Sequence, residues 1–473
     1  MSKNLDALPH WKILNDLKVT SESTTYKCHL KNAYFDLTLR HHDLNQSVFP
    51  QLMQLPRVQG LESAQEQWAK GCFQEERIPT YHFLRCFENI PAIYRDELTH
   101  TREKMQVMVD AIREGEWRGA TGKPITDVVN IGMGGSDLGP RLSLEVLAEF
   151  KNTNLRFHFI SDADPYAFAK VLEDLSPEMT LFLVSSKSFS TEETLLNAQY
   201  ASAWVSHPDA LKHQFIALTA QPERARTLGY EHMLTIPNWV VGRYSSCSSM
   251  NFILALMIGY DAFIDFLKGA YEMDMHFFHT PAEENMPMLM ALMGIWNINF
   301  LNIQTHLLLI YDTRIRNFVD YVQQMDMESN GKSVNRHDAP ITYSTAPIIW
   351  GGLGNQAHHS YYQLLAQGSH RIGIDFLTVE ENEYELINAL CRSRIEILQE
   401  GISSLVPHEK IMPQVSTHHI HLHQLNPQTL GALISLYENK VFTQAWLWNL
   451  NPFDQPGVES AKAHAQFSNP FRG

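Results

Sequence analysis

Glu328 stands among amides and small polar residues in the run Gln323-Gln324-Met325-Asp326-Met327-Glu328-Ser329-Asn330-Gly331-Lys332. Upstream, Ile315, Phe318, Val319 and Val322 fall on one helical face between Tyr311 and Val322, and Ser329-Asn330-Gly331 is a helix stop. A carboxylate fixed at the shoulder of a packed helix is a candidate general base, because proton transfer depends on position more than on strength. The competing reading is an acidic turn in water.

Other stretches hold the remaining chemistry. Ser185-Ser186-Lys187-Ser188-Phe189-Ser190-Thr191-Glu192-Glu193-Thr194 gathers hydroxyls around one ammonium. Hydroxyl donors, free backbone N–H groups and a Lys suit a compact phosphate monoester, whereas helix capping accounts for one hydroxyl and not the others. The Walker pattern fails, since Leu181 and Ser186 stand where its glycines belong. Gly132-Met133-Gly134-Gly135-Ser136-Asp137-Leu138-Gly139-Pro140 reads as a ligand loop or a plain tight turn, and Asp137 sits where a dinucleotide fingerprint needs glycine. Arg243, in Val241-Gly242-Arg243-Tyr244-Ser245-Ser246-Cys247, suits a developing oxyanion as well as it suits solvent. His359, in the Gly-rich run Trp350 to Gln363, is a proton carrier or a structural hydrogen-bonding group. In Thr417 to His423, His419, His421 and His423 alternate onto one strand face, where residues two apart stand too far apart to close easily on one zinc and no Cys or carboxylate nearby completes a tetrahedron. No metal is therefore expected.

The elements that must hold these groups follow from short apolar runs at Val128–Ile131, Phe157–Ile160, Leu181–Val184, Phe215–Leu218 and Met233–Ile236. Runs with so little polar alternation, about 20 to 30 residues apart, indicate strands buried on both faces in a parallel sheet. A helix-rich passage from Asn251 to about Asn302 comes next, and the pattern returns at Leu307–Ile310, Pro347–Trp350 and Ile372–Leu377. Helical patterns at Leu430–Leu447 and Glu459–Gln466 close the chain. The expected division is an N-terminal helical wrap over 1–118, α/β domains over 119–265 and 266–455, and a C-terminal helix over 456–473. Ligands of open α/β sheets bind at the carboxyl ends of strands, where the runs above lie.

The 473 residues exceed one growing hydrophobic core, and 44% hydrophobic with 19% charged residues is ordinary for a globular chain. A net charge of −15 opposes binding to nucleic acid. The five cysteines are scattered, with no CxxC pair, as suits a reducing compartment. The N-terminus has no apolar signal region and no apolar run is long enough to span a bilayer, so a cytoplasmic protein away from membranes is expected.

Together these segments, in this order, resemble the phosphoglucose isomerase family, from about Val128 to Lys462. The matching pieces are Ile131–Pro140, Ser186–Thr194, Gly242-Arg243-Tyr244-Ser245, Gln323–Lys332, His359-Ser360-Tyr361-Tyr362-Gln363 and Phe453–Lys462. The resemblance implies an α/β fold of two sugar-isomerase-type three-layer domains with central parallel, flavodoxin-like sheets and peripheral helices. It implies interconversion of glucose 6-phosphate and fructose 6-phosphate in glycolysis and gluconeogenesis, without a cofactor. Position by position, it makes Ser186, Lys187, Ser188 and Thr191 the phosphate cradle, and has Gly135 and Ser136 line the sugar. Gln324 and Gln455 align with hydroxyl-contacting positions. Glu328 becomes the base between C2 and C1, Arg243 the stabiliser of the enediolate, and His359 with Lys462 the pair that opens the ring. In the family this His comes from the neighbouring subunit, so a homodimer is implied. A member that also accepts mannose 6-phosphate, and a sugar-phosphate sensor that does not turn over, remain as alternatives. The chain departs from the commoner family pattern at Cys247, where Trp is usual, at Ser188, where Thr is usual, and from Gly351 to His359, which includes an unassigned second imidazole at His358. A trimmed C-terminal extension is also expected.

Overall fold

The computed structural model describes residues 3–20, 25–70, 81–88, 90–381 and 385–464, the side chains of 19, 20, 462 and 463 excepted. In chain order the strands are β1 (Tyr26–Lys31), β2 (Phe35–His41), β3 (Asp127–Gly132), β4 (Arg156–Ile160), β5 (Thr180–Ser185), β6 (Phe215–Thr219), β7 (His232–Thr235), β8 (Thr305–Ile310), β9 (Ile348–Leu353), β10 (Gly373–Val379) and β11 (Ser416–Leu422). They form a 5-stranded sheet in the order β4-β3-β5-β6-β7 and a 6-stranded sheet in the order β1-β2-β11-β10-β8-β9. All pairs in the first sheet are parallel, as are those joining β8 to β9, β10 to β8 and β10 to β11.

The apolar runs form strands because both of their faces are covered. In β5, Leu181 and Leu183 belong to one core while Phe182 and Val184 belong to another, which Ala198, Ala201 and Val205 of the helix Glu192–Val205 complete. The second sheet alternates in the same way: Leu307 and Leu309 face outward, and Leu308 and Ile310 face inward. The inward faces of both sheets share one continuous core. Through it runs the helix Pro427–Leu447, buried along most of its length, with Glu438, Asn439 and Lys440 paired to Arg85, Asp274 and Asp326. The result is an α/β architecture with parallel sheets between helical layers.

Two local features differ from the sequence-based expectation. The N-terminal part is not only helical: β1 and β2 form a hairpin that pairs antiparallel with β11 through β2. In β2, Phe35, Leu37 and Leu39 are buried between partly exposed neighbours, a period of two that adds one half-covered strand to the sheet. The helix before Glu328 also starts later than Tyr311. The Asp312 carboxylate accepts from Arg314 N (2.9 Å) and sets a 3-10 turn over Thr313–Ile315, so the α-helix proper is Phe318–Gln323.

Candidate active site

In the first sheet the chain passes from β3 outward to β4, then returns to the other side of β3 to lay down β5, β6 and β7. This reversal opens a crevice between the carboxyl ends of β3 and β5, the place where open α/β sheets bind ligands. Asn130 of β3 spans its floor, donating to Ser136 O (3.0 Å) and accepting from Ser185 Oγ (2.6 Å). It thereby fixes the loop after β3 against the loop after β5.

The loop after β5 is held open by an unusual backbone. Phe189 lies at φ +47 with its ring fully buried and edge-on to Tyr230, a conformation that a bulky residue adopts only when its surroundings enforce it. The hydroxyls around it are not used as helix caps. Thr191 is the N-cap of Glu192–Val205 yet makes no side-chain cap bond; its hydroxyl meets Ser186 Oγ at 3.2 Å, and Ser190 Oγ donates to Ser188 Oγ at 2.7 Å. Thr194 Oγ1 is buried without a hydrogen-bond partner among the described residues. Free helix N–H groups, unspent hydroxyls and the Lys187 ammonium thus converge on one spot, a ready anion site. Burial, helped by the charge of Arg243, lowers the Lys187 pKa.

The turn that carries Arg243 lies directly against the loop after β3. A Cβ at Gly135 would stand 2.7 Å from Arg243 N and closer still to the Gly242 carbonyl, so only glycine fits there. Arg243 is 3% exposed and its guanidinium is held on three sides. Nε donates to Ser329 Oγ (2.7 Å), Nη1 to Gln455 Oε1 (3.0 Å), and Nη2 to the carbonyls of Pro452 (2.6 Å) and Asp454 (3.0 Å).

Glu328 arrives from the second sheet. After β8 and the helix Phe318–Gln323, the backbone widens into a π-turn over Gln324–Glu328. Such single wide turns frequently mark functional sites, since the extra residue re-aims the side chains beyond it. The anchor is Asp326, fully buried, which accepts from Asn330 Nδ2 (3.1 Å) and lies 3.5 Å from Lys440 Nζ on the central helix. With Met325 and Asp326 facing inward, Gln324 and Glu328 are turned toward the crevice of the first sheet. Glu328 Oε2 stands 3.4 Å from Arg243 Nη1 and makes no hydrogen bond within the described residues.

One cavity of about 440 Å³ is lined by Gly135, Ser136, Ser186, Lys187, Ser188 and Thr191, and equally by Arg243, Gln324, Glu328 and Gln455. The residues picked from five separated stretches therefore share a single space. Gln221 and Asn238, bonded to each other at 3.1 Å, form a further part of the wall that the sequence did not single out. His359 is not among the lining residues; it is exposed in the turn after the short helix Gly354–Ala357, its ring 5.4 Å from that of His358. Lys462 lies on the helix Pro456–His464, and its side chain falls outside the described residues. Cys247 is buried 3.8 Å from Arg85 Nη1, and burial pushes its thiol up to about 12.

The histidine tract serves the second sheet. His419 Nε2 and His421 Nδ1 both meet Thr378 Oγ1, at 2.8 and 2.7 Å, and His423 pairs with Asp36 of β2 at 3.0 Å. His418, which the alternation leaves on the other face, joins a buried cluster instead. Asp375 Oδ1 lies 2.8 Å from His418 Nδ1 and 2.9 Å from His306 Nε2, while Oδ2 accepts from Tyr437 (2.7 Å). Burial alone would raise the Asp375 carboxyl, but the two imidazoles outweigh it and hold it well below the usual range. These are hydrogen-bond and ion-pair distances that tie β8, β10 and β11 to the central helix.

Between the carboxyl ends of β8 and β10 in the second sheet stands an ion cluster. Arg314 reaches Asp312 (2.6 Å), Glu381 (3.0 Å) and Glu149 (3.0 Å), occupying the position that the cavity holds in the first sheet.

Comparison with known proteins bears on this arrangement. Residues 41–470 match the family model described as phosphoglucose isomerase. A glucose-6-phosphate isomerase of Legionella pneumophila (strain Lens) is 50% identical over 79% of this chain and 75% of its own. Glucose-6-phosphate isomerase 1 of Chromohalobacter salexigens is 40% identical over 89% of this chain and 81% of its own. Among solved structures, a glucose-6-phosphate isomerase from Chlamydia trachomatis superposes with a TM-score of 0.89 at 25% identity, covering 98% of this chain and 95% of that one.

Proposed function

The chain belongs to the phosphoglucose isomerase family, and from that premise we propose that it interconverts D-glucose 6-phosphate and D-fructose 6-phosphate at the shared cavity, with Glu328 as the base. The observation that carries this reading is that the anion site and the Glu328–Arg243 pair line one cavity from opposite sides. The phosphate is seated by Ser186, Lys187, Ser188 and Thr191 at the N-terminus of Glu192–Val205. Binding the unreactive end of the sugar in this way converts remote binding energy into alignment of C1 and C2.

With the ring open, Glu328 takes the proton from C2 while the C1 carbonyl becomes the oxyanion of an enediolate; the O2 proton then passes to O1, and the same carboxyl returns its proton to C1, leaving the C2 ketone. Loss of a proton next to a carbonyl needs a fixed positive group near the new charge. Arg243 supports that role: its fork is fastened before substrate arrives, and a guanidinium keeps its charge at any working pH. Gly135, Ser136, Gln324 and Gln455 contact the sugar hydroxyls. Ring opening needs one group to donate to the ring oxygen and another to take the O1 proton, and His359 and Lys462 are the pair that share these two roles. Since His359 is exposed and outside the cavity of its own chain, it serves the site of a second copy in a homodimer. Residues 119–265 then act as the binding unit and 266–455 as the reacting unit, with 1–118 and 456–473 wrapped around them, in a cytoplasmic enzyme that uses no cofactor.

A coupled assay of fructose 6-phosphate conversion in metal-free buffer tests this reading. Wild type turns over, and Glu328→Gln loses at least about two orders of magnitude, the share of a positioned base. Equal activity in both proteins would remove Glu328 from the mechanism.

A further inference from the structure

The run that supplies the base ends in a residue for which the mechanism above has no use. Lys332 follows Gly331, where a side chain would collide with Met327 O; the glycine lets the chain turn sharply, with its N–H on Met327 O at 3.0 Å, so that Lys332 folds back over the end of the π-turn. There its ammonium, 7% exposed, donates to Glu328 O (2.8 Å), Ser329 O (2.9 Å) and Asp454 O (2.9 Å), with Asp454 Oδ1 at 3.4 Å. The last carbonyls of a helix have no partners inside it, and a cation at that end is favourable on both counts.

The three acceptors are not equivalent. Two belong to the turn that bears the base, including the carbonyl of Glu328 itself. The third, Asp454 O, also receives Arg243 Nη2 at 3.0 Å. Ser329 is shared in the same fashion, through its carbonyl by Lys332 and through its hydroxyl by Arg243 Nε at 2.7 Å. The backbone of the base and the guanidinium 3.4 Å from its carboxylate are therefore referred to the same two residues, Ser329 and Asp454, by two buried cations.

We infer that Lys332 is a positioning residue for the isomerisation, fixing the Glu328 carboxylate at its distance from Arg243 by clamping the π-turn to the Pro452–Gln455 loop. It makes no contact with the reacting atoms and acts through Glu328. This rests on the functional reading above and extends it to a side chain outside the assigned site. The charged groups that face Lys332 are Arg243, Asp454 and Glu328. Burial chiefly, and then Arg243, bring its ammonium down to about 8 against the pull of the two carboxylates. The clamp is thus complete below about pH 8 and loses its charge above it, whereas an arginine in its place would stay charged.

The test compares wild type with Lys332→Met and Lys332→Arg by steady-state kinetics across pH, with melting temperatures measured in parallel. Lys332→Met is expected to lower kcat by about 10- to 100-fold, the cost of a misplacement near one ångström, with KM changed much less because the phosphate seat is untouched. Lys332→Arg is expected to recover most of kcat and to move its alkaline decline to higher pH. A wild-type kcat in folded Lys332→Met, or an unchanged Glu328–Arg243 separation in its crystal structure, overturns the inference. Should Lys332→Met fail to fold, an alkaline limb of Lys332→Arg that superimposes on that of wild type overturns it equally. Inactive wild type would instead sink the functional reading, leaving the crystallographic comparison to decide the clamp.

Discussion

Arg243 Nη1 stands 3.4 Å from Glu328 Oε2, yet every hydrogen bond resolved for the guanidinium goes to Ser329, Gln455, Pro452 or Asp454. The pair is close without being joined. A carboxylate locked in a bidentate bridge would be a poor base, and one without a cation nearby would have nothing to offset the charge it creates in the substrate.

For this reason Arg243→Lys should not be conservative. A lysine cannot reach Ser329, Gln455 and the two loop carbonyls together, so the positive charge loses its fixed place. We expect kcat to fall by about 10²- to 10³-fold, the usual effect of removing a preorganised oxyanion partner, with a smaller change in KM. Near-normal kcat in Arg243→Lys would show that charge alone is enough.

Gly135→Ala probes the contact between the two loops of the crevice. The added methyl meets the Gly242 carbonyl and Arg243 N, both main-chain atoms that cannot rotate away. Stability should drop by about 1–3 kcal/mol, as for overpacking elsewhere, and kcat/KM by at least about tenfold as the Arg243 turn is displaced. Urea denaturation and the coupled assay measure the two effects, and a variant indistinguishable from wild type in both would contradict the close approach.

The proposed completion of the site by a second subunit has a decisive test in complementation. Glu328→Gln and His359→Ala are each expected to be nearly inactive alone. Unfolding them together and refolding the mixture should restore activity, because a hybrid dimer carries one site with both groups intact. If base and histidine worked within one chain, every site of the hybrid would keep a defect and mixing would restore nothing.

Acid should destabilise the fold through its buried imidazoles. Burial holds His41 and His419 down to about 4 and His82 to about 3, so all three are neutral in the folded state. The unfolded chain takes up protons at these positions as pH falls through the ordinary histidine value of about 6.5, while the folded chain does not until its own depressed values. Stability is therefore unaffected by these groups above about pH 7 and is lost progressively below about 6.5. His82 is the informative variant, since neither ring nitrogen has a hydrogen-bond partner among the described residues. His82→Phe should flatten the decline of the urea midpoint between about pH 7 and 5, and an unchanged slope would assign the decline to other groups.

The strands of the first sheet, and β8, β9 and β10 of the second, were legible because burial on two faces leaves an unbroken apolar run, as in Leu181-Phe182-Leu183-Val184. The β1–β2 hairpin was not, because its pairing depends on β11 nearly 400 residues away and its apolar positions alternate with charge. Most cavity-lining groups could be picked out, since hydroxyls, an Arg and a carboxylate in small-residue runs are conspicuous. The π-turn could not: it is imposed by Asp326 meeting Asn330 and Lys440 across the core, and nothing local encodes it. Asn130 and the His306–Asp375–His418 cluster were hidden for the same reason, being single polar residues inside apolar strands or tracts whose partners lie far along the chain. Lys332 stood in plain view, and only its fold-back onto three carbonyls gave it meaning.

The ion cluster of Arg314 with Asp312, Glu381 and Glu149 bears on how such a protein can change over time. Two sheets of similar strand order offer two crevices, and in the second an ion cluster bridges the strand ends. The open crevice is lined from both units, by Ser186, Lys187 and Arg243 on one side and by Gln324, Glu328 and Gln455 on the other. On the proposed reading, a mutation that retunes which sugar is held therefore also acts on the groups that react with it. Selectivity and chemistry are in this way inherited together within a single chain.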